Sequence, residues 1–371
     1  MKRRLFPLGA LVGVASVLLI VACGSPASAP SPASSGANPP AGQPTAAAQK
    51  AAGSTITLKM SHHEPSTSLV NTAFQKWADQ INQKTNGQVT IKVYDSETLA
   101  KGKDIVTSVQ TGITDIGWVI IGFFPGQFPL TEVYNLPVLG VKSSAAGAQA
   151  EWDLYQNNPD VQKEWSSVKV LGFTSSGSQW ISASKKPVRT IDDVKGLKLR
   201  VSGWGGTELF KSLGASPMNV APPDMYENIS KGILDGMVFD WQGINSSRLF
   251  EVVNYASTYP IIMQPQAVIM NKDKWNSLSP DIQKAIMDVS GPSLGKLEGD
   301  EAFDKADQQG IDNFKKLNKE IINFSPEEQK KWQDAAKPVW QGWVKQVKDK
   351  GLDGQKALDQ IQEAINKYNK Q

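Results

Sequence analysis

Cysteine is almost missing from this sequence: Cys23 is the only one in 371 residues. A lone thiol closes no internal disulfide, so the fold must rest on its own core. Histidine is nearly as scarce, with His62 and His63 side by side. On a strand, adjacent residues point to opposite faces, and His62-His63-Glu64 lacks the helical spacing of a zinc protease site. The pair reads as a strand end with one ring packed and one solvated, or as a ligand contact. No Gly-x-Ser-x-Gly elbow, phosphate-cradling glycine loop or cysteine pair is present, so catalysis is disfavoured and no cofactor is expected. A large excess of either charge is missing too. The net charge is +3, and losing Lys2, Arg3 and Arg4 leaves 36 basic against 36 acidic side chains. Nucleic acid is thereby excluded, since phosphate binding needs clustered excess Lys and Arg.

Long apolar runs are also scarce. The stretch Leu5 to Val21 is broken by Pro7 and Gly9 and falls short of the roughly 20 residues that span a bilayer. With its basic start and the ending Ile20-Val21-Ala22-Cys23, residues 1–22 read as a signal peptide. Cys23, followed by Gly24-Ser25, sits where a bacterial lipobox places its lipid-modified thiol. The expectation is an extracytoplasmic lipoprotein held at the cell membrane by that residue. Residues 23–53 carry this cysteine and then almost only Ser, Ala, Pro, Gly, Gln and Thr, with Lys50 the single charge. No core can form there, which predicts a disordered tether.

From residue 54 onward the pattern alternates. Thr55–Met60 reads as a strand, 66–84 as a helix with Leu69, Phe74, Trp77 and Ile81 on one face, and Val89–Val93 as a strand after the turn Asn86-Gly87. A helix over 101–111 leads to a strand over 115–121. The helical stretch 143–165 precedes strands near 168–174, 179–183 and 197–201, helices near 204–213 and 223–231, and a strand at 237–239. Such alternation predicts mostly parallel sheets with covering helices. The expected architecture is α/β with two lobes: lobe I about 54–175 plus 265–300 and lobe II about 176–264. Helices over about 279–371 wrap the lobes rather than build a third sheet.

Small solutes bind at the carboxyl ends of strands, in the cleft between two such lobes. This selects the loop 61–64, the loop 118–124, the region Gln179-Trp180, Arg200, and Phe239-Asp240-Trp241. In the strand Leu197–Val201, Leu197, Leu199 and Val201 face one side while Lys198 and Arg200 face the other. A guanidinium at a strand end matches a carboxylate with its planar fork and stays charged. It serves a ligand there, or it pairs with Asp192 or Asp193 on the surface.

Several stretches then occur in one order: Thr85-Asn86-Gly87-Gln88-Val89; Val109 to Ile116; Phe128-Pro129-Leu130 with Leu136-Pro137; Asp193 to Val201; Leu213 to Pro217; Met225-Tyr226-Glu227 with Lys231 to Gly236; Phe250 to Tyr255; and Met270-Asn271-Lys272 with Trp275. Together they resemble the substrate-binding proteins of TRAP transporters, of the C4-dicarboxylate-binding type, over about residues 55–345. The resemblance implies a periplasmic-binding-protein-like Venus flytrap with a long helical C-terminal region. It would clamp a small organic acid and deliver it to a permease driven by an ion gradient. It also places the family's carboxylate-binding arginine on Arg200.

Many relatives carry a second arginine where this chain has Gln179. Asp235-Gly236 is followed here by Met237-Val238-Phe239-Asp240-Trp241, a more apolar wall than relatives tend to have. A monocarboxylate with an aliphatic or aromatic body is therefore the expected guest. Gln179 and Asp240 are also candidate oxygen ligands for a bridging cation such as calcium or sodium. Trp180, Phe239, Trp241, Trp118 and His63 complete the candidate ligand-binding set. Two alternatives stand beside this reading: a receptor for an ATP-driven importer or sensor, and an extracytoplasmic enzyme using His62, His63 and Glu64.

Overall fold

The computed structural model describes residues 55–370. The expected signal peptide 1–22, lipidated Cys23 and tether to residue 53 lie outside the described residues. The chain opens with strand β1 (Ile56–Ser61), helix α1 (Leu69–Lys84) and strand β2 (Val89–Tyr94). Ser68 caps α1 by accepting from the Asn71 amide, and Val70, Phe74, Trp77 and Ile81 form its buried face. Asn86 and Gly87 both take positive φ (50° and 78°), as the turn into β2 requires. Helix α2 (Ile105–Gln110) is shorter than the periodicity predicts, because Gly102–Asp104 winds as a 3-10 turn; β3 (Ile116–Ile120) follows. The stretch 143–165 is two helices, α3 (Ser144–Asn157) and α4 (Pro159–Glu164), since Pro159 starts a new helix capped by Asn158. Strand β4 (Val168–Ser175) comes next.

The second sheet begins with β5 (Trp180–Ala183) and continues with β6 (Lys198–Arg200), α5 (Trp204–Ser212), β7 (Ser216–Met218), α6 (Pro222–Ser230), β8 (Gly236–Phe239), α7 (Trp241–Ser246) and β9 (Tyr255–Ser257). The chain then returns through β10 (Pro265–Asn271) to α8 (Lys272–Asn276), α9 (Pro280–Met287), α10 (Pro292–Glu298) and α11 (Asp304–Lys316). After α11 come β11 (Glu320–Ile322), α12 (Pro326–Asp349) and α13 (Gly354–Tyr368). The helical expectation beyond 279 is thus corrected in one place: β11 lengthens the second sheet by pairing in parallel with β9.

The sheets run β2-β1-β3-β10-β4 and β11-β9-β5-β8-β6-β7. In each, one strand opposes the rest: β10 is antiparallel to β3 and β4, and β5 to β8 and β9. These are the two strands that enter from the other sheet, so their reversal follows from the chain crossing over. The crossing segments pair with each other, Gln179 N–H donating to Ile262 O (2.9 Å) and Ser176 N–H to Gln264 O (3.1 Å). A third connection is α12, whose Trp332 and Val339 sit in the core of the second sheet and whose Trp343 and Val347 sit in that of the first. Pro338, just before Val339, removes one helical hydrogen bond near the point where the helix passes from one core to the other.

The two sheet systems meet closely at the start of α5. Gly205 N–H donates to Asn135 Oδ1 (3.2 Å), and Asn135 Nδ2 donates to Met263 O (3.1 Å). A Cβ on Gly205 would lie 2.3 Å from the Asn135 carbonyl oxygen, a backbone atom with little room to yield. Gly205→Ala should therefore cost about 1–3 kcal/mol and push the lobes apart. A lower denaturation midpoint with a larger radius of gyration by solution scattering is the expected result; no change in either would contradict this contact.

Candidate functional site

Strand β6 ends at Arg200 between β7 and β8, and the alternation along it holds: Leu199 and Val201 are buried while Lys198 is exposed. Arg200, however, is only 2 % exposed, because its side of the strand end is roofed by the first lobe. Its Nε donates to Val220 O (3.1 Å) and its Nη1 to Val238 O (3.4 Å), and the guanidinium lies 4.7 Å from the Phe239 ring centroid. Of the three arginines among the described residues, Arg189 pairs with Glu320 and Arg248 with Glu251. Arg200 has no carboxylate within ion-pair distance. The surface alternative is removed, since Asp193 accepts instead from the Arg189 and Thr190 amides and the Thr190 hydroxyl. Burial pushes the guanidinium down to about 10, which leaves it charged at neutral pH; Asp240 acts in the opposite direction.

Around it lies a small cavity lined from both sheets, with ≈ 30 Å³ of free space in this closed arrangement, so a guest enters only as the lobes part. Phe239, Asp240, Gln179, Trp118 and His63 all face it, as expected from sequence. Trp118 is anchored by Nε1 donating to Thr174 Oγ1 (3.0 Å), and His63 stacks on it at 5.0 Å with the planes 4° apart. The expectation of one packed and one solvated histidine is corrected, since neither ring stands free. His62 is buried behind the wall with Nε2 3.1 Å from Asn71 Oδ1, and burial followed by the neighbouring His63 holds its pKa down to about 4. Trp180 and Trp241 are corrections as well. Both rings belong to the core beneath the second sheet rather than to this cavity, Trp241 packing on Phe314 at 5.3 Å.

Asp240 caps α7, its Oδ1 accepting from the Gly243 amide (2.8 Å), and burial raises its pKa to about 6. Glu64 reaches across from the first lobe, its Oε2 accepting from Gln242 Nε2 (3.1 Å) and its Oε1 3.4 Å from His63 Nε2. Burial, the largest influence on Glu64, pushes its pKa up, but the bond and charge of His63 and the Gln242 bond together hold it below the usual range. As a cation site the set is short: Asp240 Oδ1 is engaged and Gln179 Oε1 is free, whereas calcium takes six to eight oxygens. No cluster of three metal-ligating side chains occurs among the described residues. Sequence reasoning missed Gln264 and Gln266, which line the cavity from the segment entering β10. Their signal was two glutamines, two apart, inside the apolar run Ile261 to Met270.

The deciding comparison is a family model, bacterial extracellular solute-binding protein family 7, which matches residues 60–346. The chain belongs to that family. Among relatives, the 2,3-diketo-L-gulonate-binding periplasmic protein YiaO of Escherichia coli is 25% identical over 307 residues, covering 82% of this chain and 92% of its own. A TRAP solute-binding protein from Rhodoferax ferrireducens, solved with copurified benzoate, superposes with a TM-score of 0.81 at 25% identity, over 85% of this chain and 99% of that one. Another, from Bordetella bronchiseptica with bound (R)- and (S)-mandelate, gives 0.78 at 28% identity, over 84% and 99%. This family 7 member is thus an extracytoplasmic receptor for small organic acids of the TRAP type, with the two-lobe fold of those structures.

Two buried carboxyls stand out near the cavity. Glu151 on α3 and Glu298 at the end of α10 are fully buried, and neither carboxyl makes a hydrogen bond. Burial and the mutual repulsion of the two push Glu151 well above 4.5; the Gln266 backbone offsets this for Glu151 only in part, from outside hydrogen-bond geometry. Burial, then Glu64, Asp240 and Asp304, do the same to Glu298. Both are neutral in the folded chain and ionise on unfolding above 4.5, so their stability contribution is full below that value and is lost as pH rises through the folded pKa values. The melting temperature should fall as pH rises above 4.5, and Glu298→Gln should flatten the fall. Coincident profiles for the two proteins would show that Glu298 is not held neutral.

Proposed function

We propose that this receptor takes a small organic monocarboxylate on Arg200 and hands it, enclosed, to a TRAP-type permease driven by an ion gradient. The observation that carries the reading is a buried guanidinium in an interlobe cavity with no ion-pair partner. Leaving a charge buried and unpaired is costly, and a bound carboxylate removes that cost while gaining a forked, charge-assisted bond. Phe239 and Trp118 give the guest an apolar body to pack against, which agrees with the benzoate and mandelate found in similar proteins. Gln179, where many relatives have a second arginine, leaves the cavity one fixed cation and so favours one carboxylate over two.

The moving parts in this reading are lobe I (about 54–175 plus 265–300) and lobe II (about 176–264), with the C-terminal helices from about 279 lying across both. Ligand affinity is higher for the closed arrangement, and closure is what the permease reads. Lipid on Cys23 holds the receptor at the membrane, and residues 23–53 let it range around its partner. Catalysis has little support: His62 is engaged with Asn71 and held neutral, and His63 stacks on Trp118.

Arg200→Ala should weaken carboxylate binding by one to two orders of magnitude, following from the ~1.5–3 kcal/mol of a charged hydrogen bond, while the ligand-free protein keeps its fold and melting behaviour. Titration calorimetry and thermal shift with benzoate as the probe read both. Unchanged affinity in the variant would remove Arg200 from the site.

A further inference from the structure

The cavity beside Arg200 carries more acceptor capacity than the protein uses. Gln264 is 2 % exposed; its Nε2 donates to the Ser202 carbonyl (2.9 Å) and hydroxyl (3.1 Å), which fixes the orientation of the amide. Its Oε1 is left buried with no donor. Gln179, 1 % exposed on the neighbouring crossing segment, has its Oε1 in the same state. Glu64 joins them from the first lobe, with one hydrogen bond from Gln242 and one longer contact with His63, fewer than a carboxylate accepts. Three acceptors on three separate segments thus line a cavity whose one permanent cation is Arg200.

A buried acceptor without a donor forfeits the hydrogen bond it had with water, which is why such atoms are few in folded proteins. Two on one wall, beside a buried carboxylate, make a surface complementary to a donor. The geometry points to a guest that is an aromatic monocarboxylate bearing a hydroxyl, its carboxylate on Arg200 and its hydroxyl donating to the Gln179, Gln264 and Glu64 wall. This deepens, and rests on, the reading of Arg200 as the carboxylate anchor. Phe239, Trp118 and Phe303 line the cavity with aromatic surface that suits an aromatic body once the lobes part to admit it. A second carboxylate is selected against, because it would face acceptors and the Glu64 anion where it needs donors. A ligand ammonium offers the same donor chemistry and is separated from a hydroxyl by experiment.

The test is titration calorimetry of the protein with phenylacetate, mandelate, 3-hydroxyphenylacetate and 2-phenylglycine. At least one of the two hydroxy acids is expected to bind about tenfold or more tighter than phenylacetate, a gain typical of one satisfied buried hydrogen bond. In Gln179→Leu that advantage should shrink to less than about threefold. If that variant fails to fold, the ratio in the unsubstituted protein decides alone. Equal binding of phenylacetate and both hydroxy acids overturns the inference and leaves the role of Arg200 standing. Phenylglycine binding tighter than either hydroxy acid overturns the hydroxyl in favour of an ammonium. Binding of none of the acids overturns the role of Arg200 and this inference with it.

Discussion

The structure turns on a positive charge taken out of water without a negative charge beside it. Arg200 is held by two backbone carbonyls and the face of Phe239, an arrangement that supports a guanidinium without neutralising it. Arginine tolerates this better than lysine would, because its charge is delocalised and weakly hydrated and keeps its proton even when burial lowers its pKa to about 10. What remains unsatisfied is specific: a planar, forked demand for an anion at one point between two lobes.

The rest of the fold makes that point reachable and then closes it. β6 carries Arg200 to its strand end, the paired crossing segments bring Gln179 and Gln264 to the same space, and Glu64 meets Gln242 across the gap. The lobes are tied by the two crossing strands, by the helical run from α10 to α11, with Phe303 in one core and Phe314 in the other, and by α12 with Pro338 just before Val339. Close approach at Gly205 and Asn135 holds the two lobes in contact at the start of α5. The buried carboxyls Glu151 and Glu298 lie near this machinery as neutral acids, so they set no further charge against an anion held at Arg200.

Much of this was legible in the residues. Period-two and period-3.6 patterns located β1 to β6, β8 and most helices within a few positions, since β1, α1 and β2 each have one dominant buried face and β8 is a short apolar run. Arg200 was marked by its place in the alternation of Leu197–Val201. What sequence hid were the features set by long-range pairing. The reversed strand β5 reads locally like any buried strand, β10 was not marked as a strand at all, and β7, β9 and β11 are too short to show a period. Trp180 follows cavity residue Gln179 on an extended segment, where adjacent residues face opposite ways, and Trp241 opens α7 directly after its cap Asp240, which turns its ring into the core. Gln264 and Gln266 were passed over because their meaning depends on the other crossing segment, about eighty residues earlier.

The most direct test of the account is where a guest carboxylate lies. A crystal structure of the protein with 4-bromomandelate, the bromine located by anomalous scattering, would show it. The account predicts the bromine between the Phe239 and Trp118 rings and both carboxylate oxygens within hydrogen-bond distance of the Arg200 guanidinium. Bromine in the apolar groove beside Tyr259 and Trp340, with Arg200 untouched, would contradict it.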